Sequence, residues 1–244
     1  MKLMIQEHEQ FKYLNENKGE LSWEADENSG LVVVHSKEEG VEKLLDDAEE
    51  IFAPINYVMD QWENVKVHNN VHVYFPLSAI RGATKLLTVL KEKQLNKNGV
   101  FRLRRRQRQM NSDSISGNDI FFLTSIFGKW KTLYPKLVQS SEANISHMLV
   151  AVTFENNVMA QLEYTFTQTD GELLEMEWSG RDHVLEYSTE QKALQTVTDG
   201  KQEAPLDCDE FLVISESVPM SEETYKELKR LRESISLELA GGVK

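Results

Sequence analysis

The sequence contains a single cysteine, Cys208, which excludes an intrachain disulfide and a metal site built from several cysteines. Five prolines and 12 glycines are too few for a low-complexity chain. The longest uninterrupted apolar runs, such as Leu31–Val34, cover only a few residues, so we expect no membrane-spanning segment. Glu7 lies where a secretory signal would be apolar, and this favours a cytoplasmic protein.

Basic residues are also scarce. The chain has 27 Lys and Arg against 40 Asp and Glu, a net charge of −13 over 244 residues. An acidic surface repels the phosphate backbone, so we expect no nucleic-acid partner. The six histidines are scattered and show no metal-ligand spacing, so we expect no metal site.

The first third of the chain predicts one strand–helix–strand unit. Leu31–His35 is a β-branched apolar run after a glycine, which is typical of a strand. Ser36 and Glu39 have the spacing of a capping box, and apolar residues recur at helical spacing as far as Phe52. Val65–Phe75 alternates apolar and polar residues and predicts a second strand. Parallel strands need such a crossover connection, so we expect a parallel pair.

The pattern changes at Trp130 to strands joined by short turns. Asn156-Asn157 and Asp170-Gly171 are typical of hairpins. Ser221 is the expected N-cap of a final helix that ends near Leu239. The other predicted elements are helices at Ile80–Leu90 and Asp119–Phe127 and strands at Val100–Gln109, Lys131–Val138, Ser146–Phe154, Val158–Thr167, Leu173–Ser179 and His183–Tyr187.

Three stretches carry a family resemblance. They are Val71–Leu87 with the strand after it, NDIFFLTSIFG at Asn118–Gly128, and the paired segments Val150–Phe166 and Leu174–Ser188. Their order and short motifs resemble the C-terminal domain of the Gfo/Idh/MocA oxidoreductases. The resemblance implies an α+β fold with a mostly antiparallel, open-faced sheet, helices on one face, and a partial Rossmann-like βαβ unit before it. The expected domains are residues 1–70, a truncated α/β remnant; 71–220, the sheet domain; and 221–244, the final helix.

The chain departs from the family at the positions that bind the cofactor and carry out acid/base catalysis. Only 70 residues precede Val71, whereas a full nucleotide-binding domain needs six strands and roughly 120 residues. None of the glycines forms a Gly-x-Gly turn for a dinucleotide phosphate. By the resemblance, Asn118 replaces the acid/base histidine and Phe121 replaces an aspartate. An amide has no proton that titrates near neutral pH.

These departures predict a non-catalytic, oxidoreductase-like protein with a binding, regulatory or assembly role and no cofactor. The alternative is an NAD(P)-dependent sugar or polyol dehydrogenase, with NAD or NADP held at a shortened site or one completed by another chain. The lysine of the family's Glu-Lys-Pro motif is not clearly present. Lys37 follows the first strand but lacks the motif's neighbours, and Lys43 keeps a Glu-Lys pair but falls inside a predicted helix. A solvated surface lysine is the ordinary interpretation of both.

An arginine-rich strand is the unusual feature of this acidic chain. Alternation places Arg105 on one face with Phe101 and Leu103. The opposite face carries Arg102, Arg104, Arg106 and Arg108. One interpretation is an anion site, and hence a small anion-binding module. The other is a sheet face whose arginines pair with the chain's carboxylates, which we favour.

We expect a homodimer formed through the sheet. Helices on one face leave the other face open, and its arginine and carboxylate rows could pair across a two-fold axis. Family members commonly associate through this face, which is a resemblance argument only. A full-length oxidoreductase is the second partner we consider.

Overall fold

A computed structural model describes residues 2–6, 31–35, 41–78, 80–108, 112–140, 145–167, 173–181, 183–189, 193–196 and 214–241. The strands are β1 (Lys2–Gln6), β2 (Leu31–His35), β3 (Glu50–Pro54), β4 (Val71–Tyr74), β5 (Val100–Arg108), β6 (Trp130–Ser140), β7 (Ile145–Phe154), β8 (Met159–Thr167), β9 (Leu173–Ser179), β10 (Val184–Ser188), β11 (Ala193–Thr196) and β12 (Val218–Pro219). The helices are α1 (Val41–Asp47), α2 (Ile55–Asp60), α3 (Trp62–Val65), α4 (Arg81–Glu92), α5 (Ser112–Phe127) and α6 (Glu222–Gly241).

The chain forms two compact units, the first from residues 1–79 and 208–229 and the second from residues 80–207 and 230–244. The first unit holds a sheet in the order β12-β4-β3-β1-β2. Strands β1 to β4 are parallel, and β12 pairs antiparallel with β4 at the edge. The chain passes from β1 to β2 on one side and then to β3 on the other, as in a doubly wound sheet. The sheet has five strands among the described residues, against six in a full domain of this kind.

Buried apolar strands hold the first unit together. Leu3, Met4 and Ile5 of β1 are fully buried between their neighbours. The Tyr74 hydroxyl of β4 donates a 2.6 Å hydrogen bond to the Ile5 carbonyl, so the polar end of this buried ring is satisfied. On the helical side, the rings of Trp62 and Tyr225 stack with centroids 4.3 Å apart, which joins α3 to α6.

Two sequence predictions in this unit are wrong. The predicted helix through Phe52 ends at Asp47, and Glu50–Pro54 is strand β3. Its apolar run is buried on both faces, as is usual for parallel strands, and so short a run fits either period. The predicted strand Val65–Phe75 begins only at Val71, because the residues before it form α3 and a loop. The predicted cap at Ser36 and Glu39 lies outside the described residues.

The second unit holds a seven-stranded sheet in the order β11-β10-β9-β5-β8-β7-β6. All pairs are antiparallel except β5 with β8, which run parallel with Arg102 opposite Gln161. Helices α4 and α5 pack on one face, and the other face is exposed. The predicted open-faced α+β architecture is therefore confirmed.

An aromatic cluster forms the centre of this unit. Phe127, at the end of α5, lies 5.4 Å from Phe101, 5.6 Å from Phe154 and 5.6 Å from Trp178, measured between ring centroids. Gly128 follows at φ +80° and closes the helix through a 3.0 Å bond from its N–H to the Thr124 carbonyl.

The predicted domain boundaries differ from those observed. Val71–Tyr74 was expected to open the sheet domain 71–220, but it pairs with β3 and with Val218–Pro219, so both strands belong to the first sheet. The predicted separate helix 221–244 is divided instead, since residues up to 229 belong to the first unit and later ones to the second. Short edge strands and long-range pairing give no local sequence signal, which explains the error.

The turns and caps follow the sequence more closely. Asn157 adopts φ 57° in the β7–β8 hairpin. The Thr224 N–H donates to the Ser221 hydroxyl at 3.0 Å, which confirms the predicted N-cap of α6. The predicted turn at Asp170-Gly171 lies outside the described residues.

Candidate functional site

The motif that departs from the family lies on α5, on its buried side. Ser116, Asn118 and Asp119 are fully buried although the helix around them is apolar. Buried polar side chains need partners, because an unpaired one costs the free energy of its lost hydration. The partners of Asn118 and Asp119 therefore decide what this site can do.

Asp119 is held by the sheet beneath it. The Arg105 Nη1 of β5 donates to both carboxylate oxygens at 3.2 Å, and the Tyr164 hydroxyl of β8 donates to Oδ2 at 3.2 Å. Arg105 and Tyr164 are opposite one another in the parallel register of the two strands. One carboxylate on α5 thus binds two neighbouring strands at the centre of the sheet.

Burial sets the protonation behaviour of this cluster. Desolvation raises the pKa of Asp119 above its usual value, and Arg105 and the Tyr164 hydrogen bond offset part of that effect. Burial and the neighbouring carboxylate raise the pKa of Tyr164 well above that of free tyrosine. The phenol therefore stays protonated and acts as a permanent donor to Asp119.

Asn118 is held from the other direction, by α6. The Arg232 Nη2 donates to the Asn118 Oδ1 at 2.7 Å. Arg232 reaches this position because Gly117 has no side chain: a Cβ at Gly117 would lie 2.8 Å from the Arg232 Cγ. The side chain at the position of the expected acid/base group is therefore buried and bound to a guanidinium.

Neither altered position can move a proton. Asn118 has no titrating group, and Phe121, which is partly buried on the next part of α5, offers only a ring. Asp119 remains, but its oxygens are engaged with Arg105 and Tyr164. Among the described residues of this motif, the arrangement supports packing rather than acid/base chemistry.

Of the two lysine candidates, the structure describes only Lys43. Lys43 is exposed on α1, in the first unit, whereas Asn118 is in the second. Lys37 lies outside the described residues.

The arginine face forms a ladder of ion pairs. Arg102 pairs with Glu177, and Arg104 pairs with Glu163 at 3.2 Å and with Glu175 at 2.9 Å. These carboxylates stand opposite the arginines in the registers of β8 and β9. Hydrogen bonds to both glutamates raise the pKa of the Arg104 guanidinium.

Arg102 and Arg104 thus pair with carboxylates of the neighbouring strands within this chain. Arg106 lies exposed on the same face, and for Arg108 the position on β5 is described but not the side chain. Arg105 faces the helices, as the alternation predicted.

Sequence reasoning missed three side-chain contacts of this region: those of Arg105, Tyr164 and Arg232. A signal for the first was present. Alternation placed Arg105 on the apolar face, and a buried arginine requires a carboxylate, which Asp119 supplies within an apolar helix. No local signal pointed to Arg232, which lies 114 residues from Asn118 along the chain.

The described residues include no glycine-rich turn for the phosphates of a nicotinamide dinucleotide. In a doubly wound sheet the dinucleotide lies outside the carboxyl ends of the strands, on a glycine-rich turn. The segments after Gln6 of β1 and His35 of β2 lie outside the described residues, and their sequence has no Gly-x-Gly. The described residues directly after Pro54 of β3 and Tyr74 of β4 include no glycine and no cation.

The described ranges contain neither a metal-binding cluster nor a membrane-spanning helix. No three His, Cys, Asp or Glu side chains there come together in a way that could hold a metal ion. Within the same ranges, every helix is too short or too polar to cross a bilayer.

Comparison with solved structures identifies the fold. UDP-N-acetylglucosamine 3-dehydrogenase GnnA from Acidithiobacillus ferrooxidans matches with a TM-score of 0.61 at 9% identity, over 100% of this chain and 98% of that chain. Levoglucosan dehydrogenase, in complex with NADH and levoglucosan, matches with a TM-score of 0.55 at 12% identity, over 82% and 74%. The super-repressor mutant of Gal80p from Saccharomyces cerevisiae matches with a TM-score of 0.56 at 11% identity, over 87% and 78%.

No protein-family model matches the sequence, and no curated protein does. The solved structures are Gfo/Idh/MocA-type oxidoreductases, which confirms the resemblance predicted from the sequence. The chain has the fold of the Gfo/Idh/MocA-type oxidoreductases.

Proposed function

We propose that this chain is a non-catalytic, oxidoreductase-like protein with a role in assembly. The observation that carries the proposal is the burial of Asn118 and its 2.7 Å bond from Arg232. The resemblance places the acid/base histidine at this position. Here the position carries an amide that accepts a hydrogen bond within the protein, so no general acid or base is presented.

Two further observations support the proposal. The described strand ends offer no phosphate-binding turn, so nothing there holds a nicotinamide in register with a substrate. The fold also occurs in Gal80p, whose solved variant is described as a super-repressor. The same fold is thus compatible with a role other than dehydrogenation.

The test is a titration with NADH and NADPH, followed by nicotinamide fluorescence. We expect no saturable increase. Saturable binding at micromolar concentration would overturn the proposal and favour the dehydrogenase alternative. The same titration on the assembly purified from the native host examines a site completed by a second chain: nicotinamide binding by the assembly alone would also overturn a non-catalytic role.

For the assembly itself, we propose that a second copy of this chain covers the exposed face of the second sheet. Four large apolar side chains on that face are exposed: Tyr134 by 67%, Val138 by 54%, Leu149 by 39% and Met159 by 50%. They lie on the neighbouring strands β6, β7 and β8, beside the ion-pair ladder. In the strand registers polar side chains such as Lys136 and Glu163 stand beside these apolar ones, and a mixed surface of this kind is common at interfaces.

A second copy suits this face because the ladder contains both charges. Under a two-fold rotation, the arginine row of one copy can meet the carboxylate row of the other. The intrachain pairs are exposed and worth about 0–1 kcal/mol each, so they can rearrange at little cost.

Sedimentation equilibrium at micromolar concentration tests the dimer. We expect twice the mass of the 28.1 kDa chain. Tyr134→Lys combined with Val138→Lys should shift the mass to that of the monomer, whereas Leu237→Lys on α6, at a residue 73% exposed, should not. A monomeric natural protein would refute the dimer, and a heavier complex in host extract alone would indicate a different partner.

A further inference from the structure

A cleft in the first unit lies away from the strand ends at which this fold binds its cofactor. It has a volume of about 570 Å³ and lies between α3, the loop after it and the first turns of α6. Its floor includes Val71, which is the first residue of β4. The cleft is therefore beside the amino end of β4, whereas a dinucleotide would lie beyond the carboxyl ends.

The two helical walls are fixed to one another. Trp62 of α3 and Tyr225 of α6 stack with their ring planes 5° apart, and both line the cleft. Val67, exposed by 69%, and Met220 add apolar surface beside the stacked rings. The cleft is thus built on a rigid pair of aromatic side chains and has an apolar wall.

Lysines approach the cleft from both walls. Lys66 follows α3, and Lys226 and Lys229 lie on α6. Lys66 pairs with Glu63, and Lys226 pairs with Glu222 at 2.6 Å. Three lysines against two glutamates leave one positive charge on the lining, in a chain whose net charge is −13.

The charges of the two walls act on one another across the cleft. Lys226 lowers the pKa of Glu222 through a hydrogen bond and its charge, and Lys66 of the opposite wall adds to that effect. Lys229 has no carboxylate partner among the described residues. The exposed pairs that Lys66 and Lys226 make with nearby glutamates are weak, so both lysines can bind a more highly charged anion instead.

We propose that this cleft binds a small organic phosphate. The phosphate would lie among Lys66, Lys226 and Lys229, and the organic part would lie against Met220 and the aromatic pair. The volume is within the usual range for small-ligand sites, about 300–1,000 Å³. A phosphate dianion satisfies several ammonium groups at once, which neither glutamate does.

Isothermal titration with phenyl phosphate, inorganic phosphate and phenol tests the proposal. We expect saturable heat with phenyl phosphate at sub-millimolar concentration, weaker binding of inorganic phosphate, and none of phenol. Lys226→Ala and Lys229→Ala should each weaken phenyl phosphate binding roughly tenfold. Salt screens the ionic contact, so the difference in affinity between each variant and the natural protein should be smaller at high salt. Lys91→Ala, on α4 and outside the cleft, is the matched control.

Several results would overturn this assignment. They are no saturable heat with phenyl phosphate, equal affinity for inorganic phosphate, or the same affinity in Lys229→Ala as in Lys91→Ala. Circular dichroism of each variant shows whether it is folded, and Lys229→Arg, which keeps the charge, should retain binding. NADH and NADPH are themselves organic phosphates, so nicotinamide binding that Lys229→Ala abolishes is assigned to this cleft, and binding that this variant retains is assigned to a separate cofactor site.

Discussion

Replacing Asp119 by alanine tests how α5 is anchored to the second sheet. The substitution removes the carboxylate that accepts hydrogen bonds from Arg105 and Tyr164, each at 3.2 Å. Asp119 is fully buried, and the Arg105 side chain is only 13% exposed. Removing one member of a buried ion pair costs about 3–5 kcal/mol, because the remaining charge has lost its partner without regaining water. In a chain of this size that lowers the melting temperature by roughly 6–20 °C.

A double-mutant cycle separates this pair from general packing. Arg105→Ala should destabilise the protein as well, but the double variant should lose less than the sum of the two losses. The reason is that the second substitution removes the charge that the first left unpaired. Tyr164→Phe removes a neutral donor and should cost about 1–3 kcal/mol.

The assay is urea unfolding at neutral pH, followed by far-UV circular dichroism. Arg104→Ala is the matched control, since Arg104 makes its ion pairs on the exposed face with its side chain 60% exposed. Its loss should be about 0–1 kcal/mol. If Asp119→Ala loses no more than Arg104→Ala, or if the cycle is additive, the buried pair does not anchor α5.

Three further predictions concern pH, close packing and capping. Burial raises the folded-state pKa of Asp119. The contribution of this carboxyl to the free energy of unfolding is therefore fully present below its unfolded pKa of about 4, and it is lost as the pH rises through the folded pKa. The free energy of unfolding relative to Asp119→Asn should therefore increase as the pH falls from neutral toward 4 in urea titrations; a decrease contradicts the assigned direction. Gly82→Ala should destabilise by about 1–3 kcal/mol, since the new Cβ would lie 2.0 Å from the Tyr187 Cε2, although helix propensity alone predicts a gain of about 1 kcal/mol; the sign of the change in thermal unfolding decides between them. Ser221→Ala should cost about 1 kcal/mol by removing the acceptor of the Thr224 N–H, and Ser221→Asp should largely retain the natural melting temperature; equal losses would exclude a capping role.

The second sheet was predictable because its strands are long and alternate. Met159–Thr167 places Ala160, Leu162, Tyr164 and Phe166 on the buried face, as the two-residue period indicates. The first unit was less predictable, because β3 is a short strand buried on both faces and its apolar run has no period of its own. Val218–Pro219 is too short to give any strand signal, and its partner β4 lies far away in the sequence.

Only part of the candidate site was predictable from the sequence. The resemblance located Asn118 and Phe121, and the loss of a titrating group follows from residue type alone. The bond from Arg232 to Asn118 depends on a close approach of α6 at Gly117, which only the packed structure reveals. A glycine inside a helix was a weak signal of that approach.

The composition of the first unit from two stretches of chain has a consequence for synthesis. Residues 1–79 leave the ribosome before residues 80–207, but the edge strand Val218–Pro219 and the Tyr225 that stacks on Trp62 are made after the whole seven-stranded sheet. Domains ordinarily fold in the order in which they are synthesised. During synthesis β4 therefore has no β12 to pair with until the strands of the second sheet have been made.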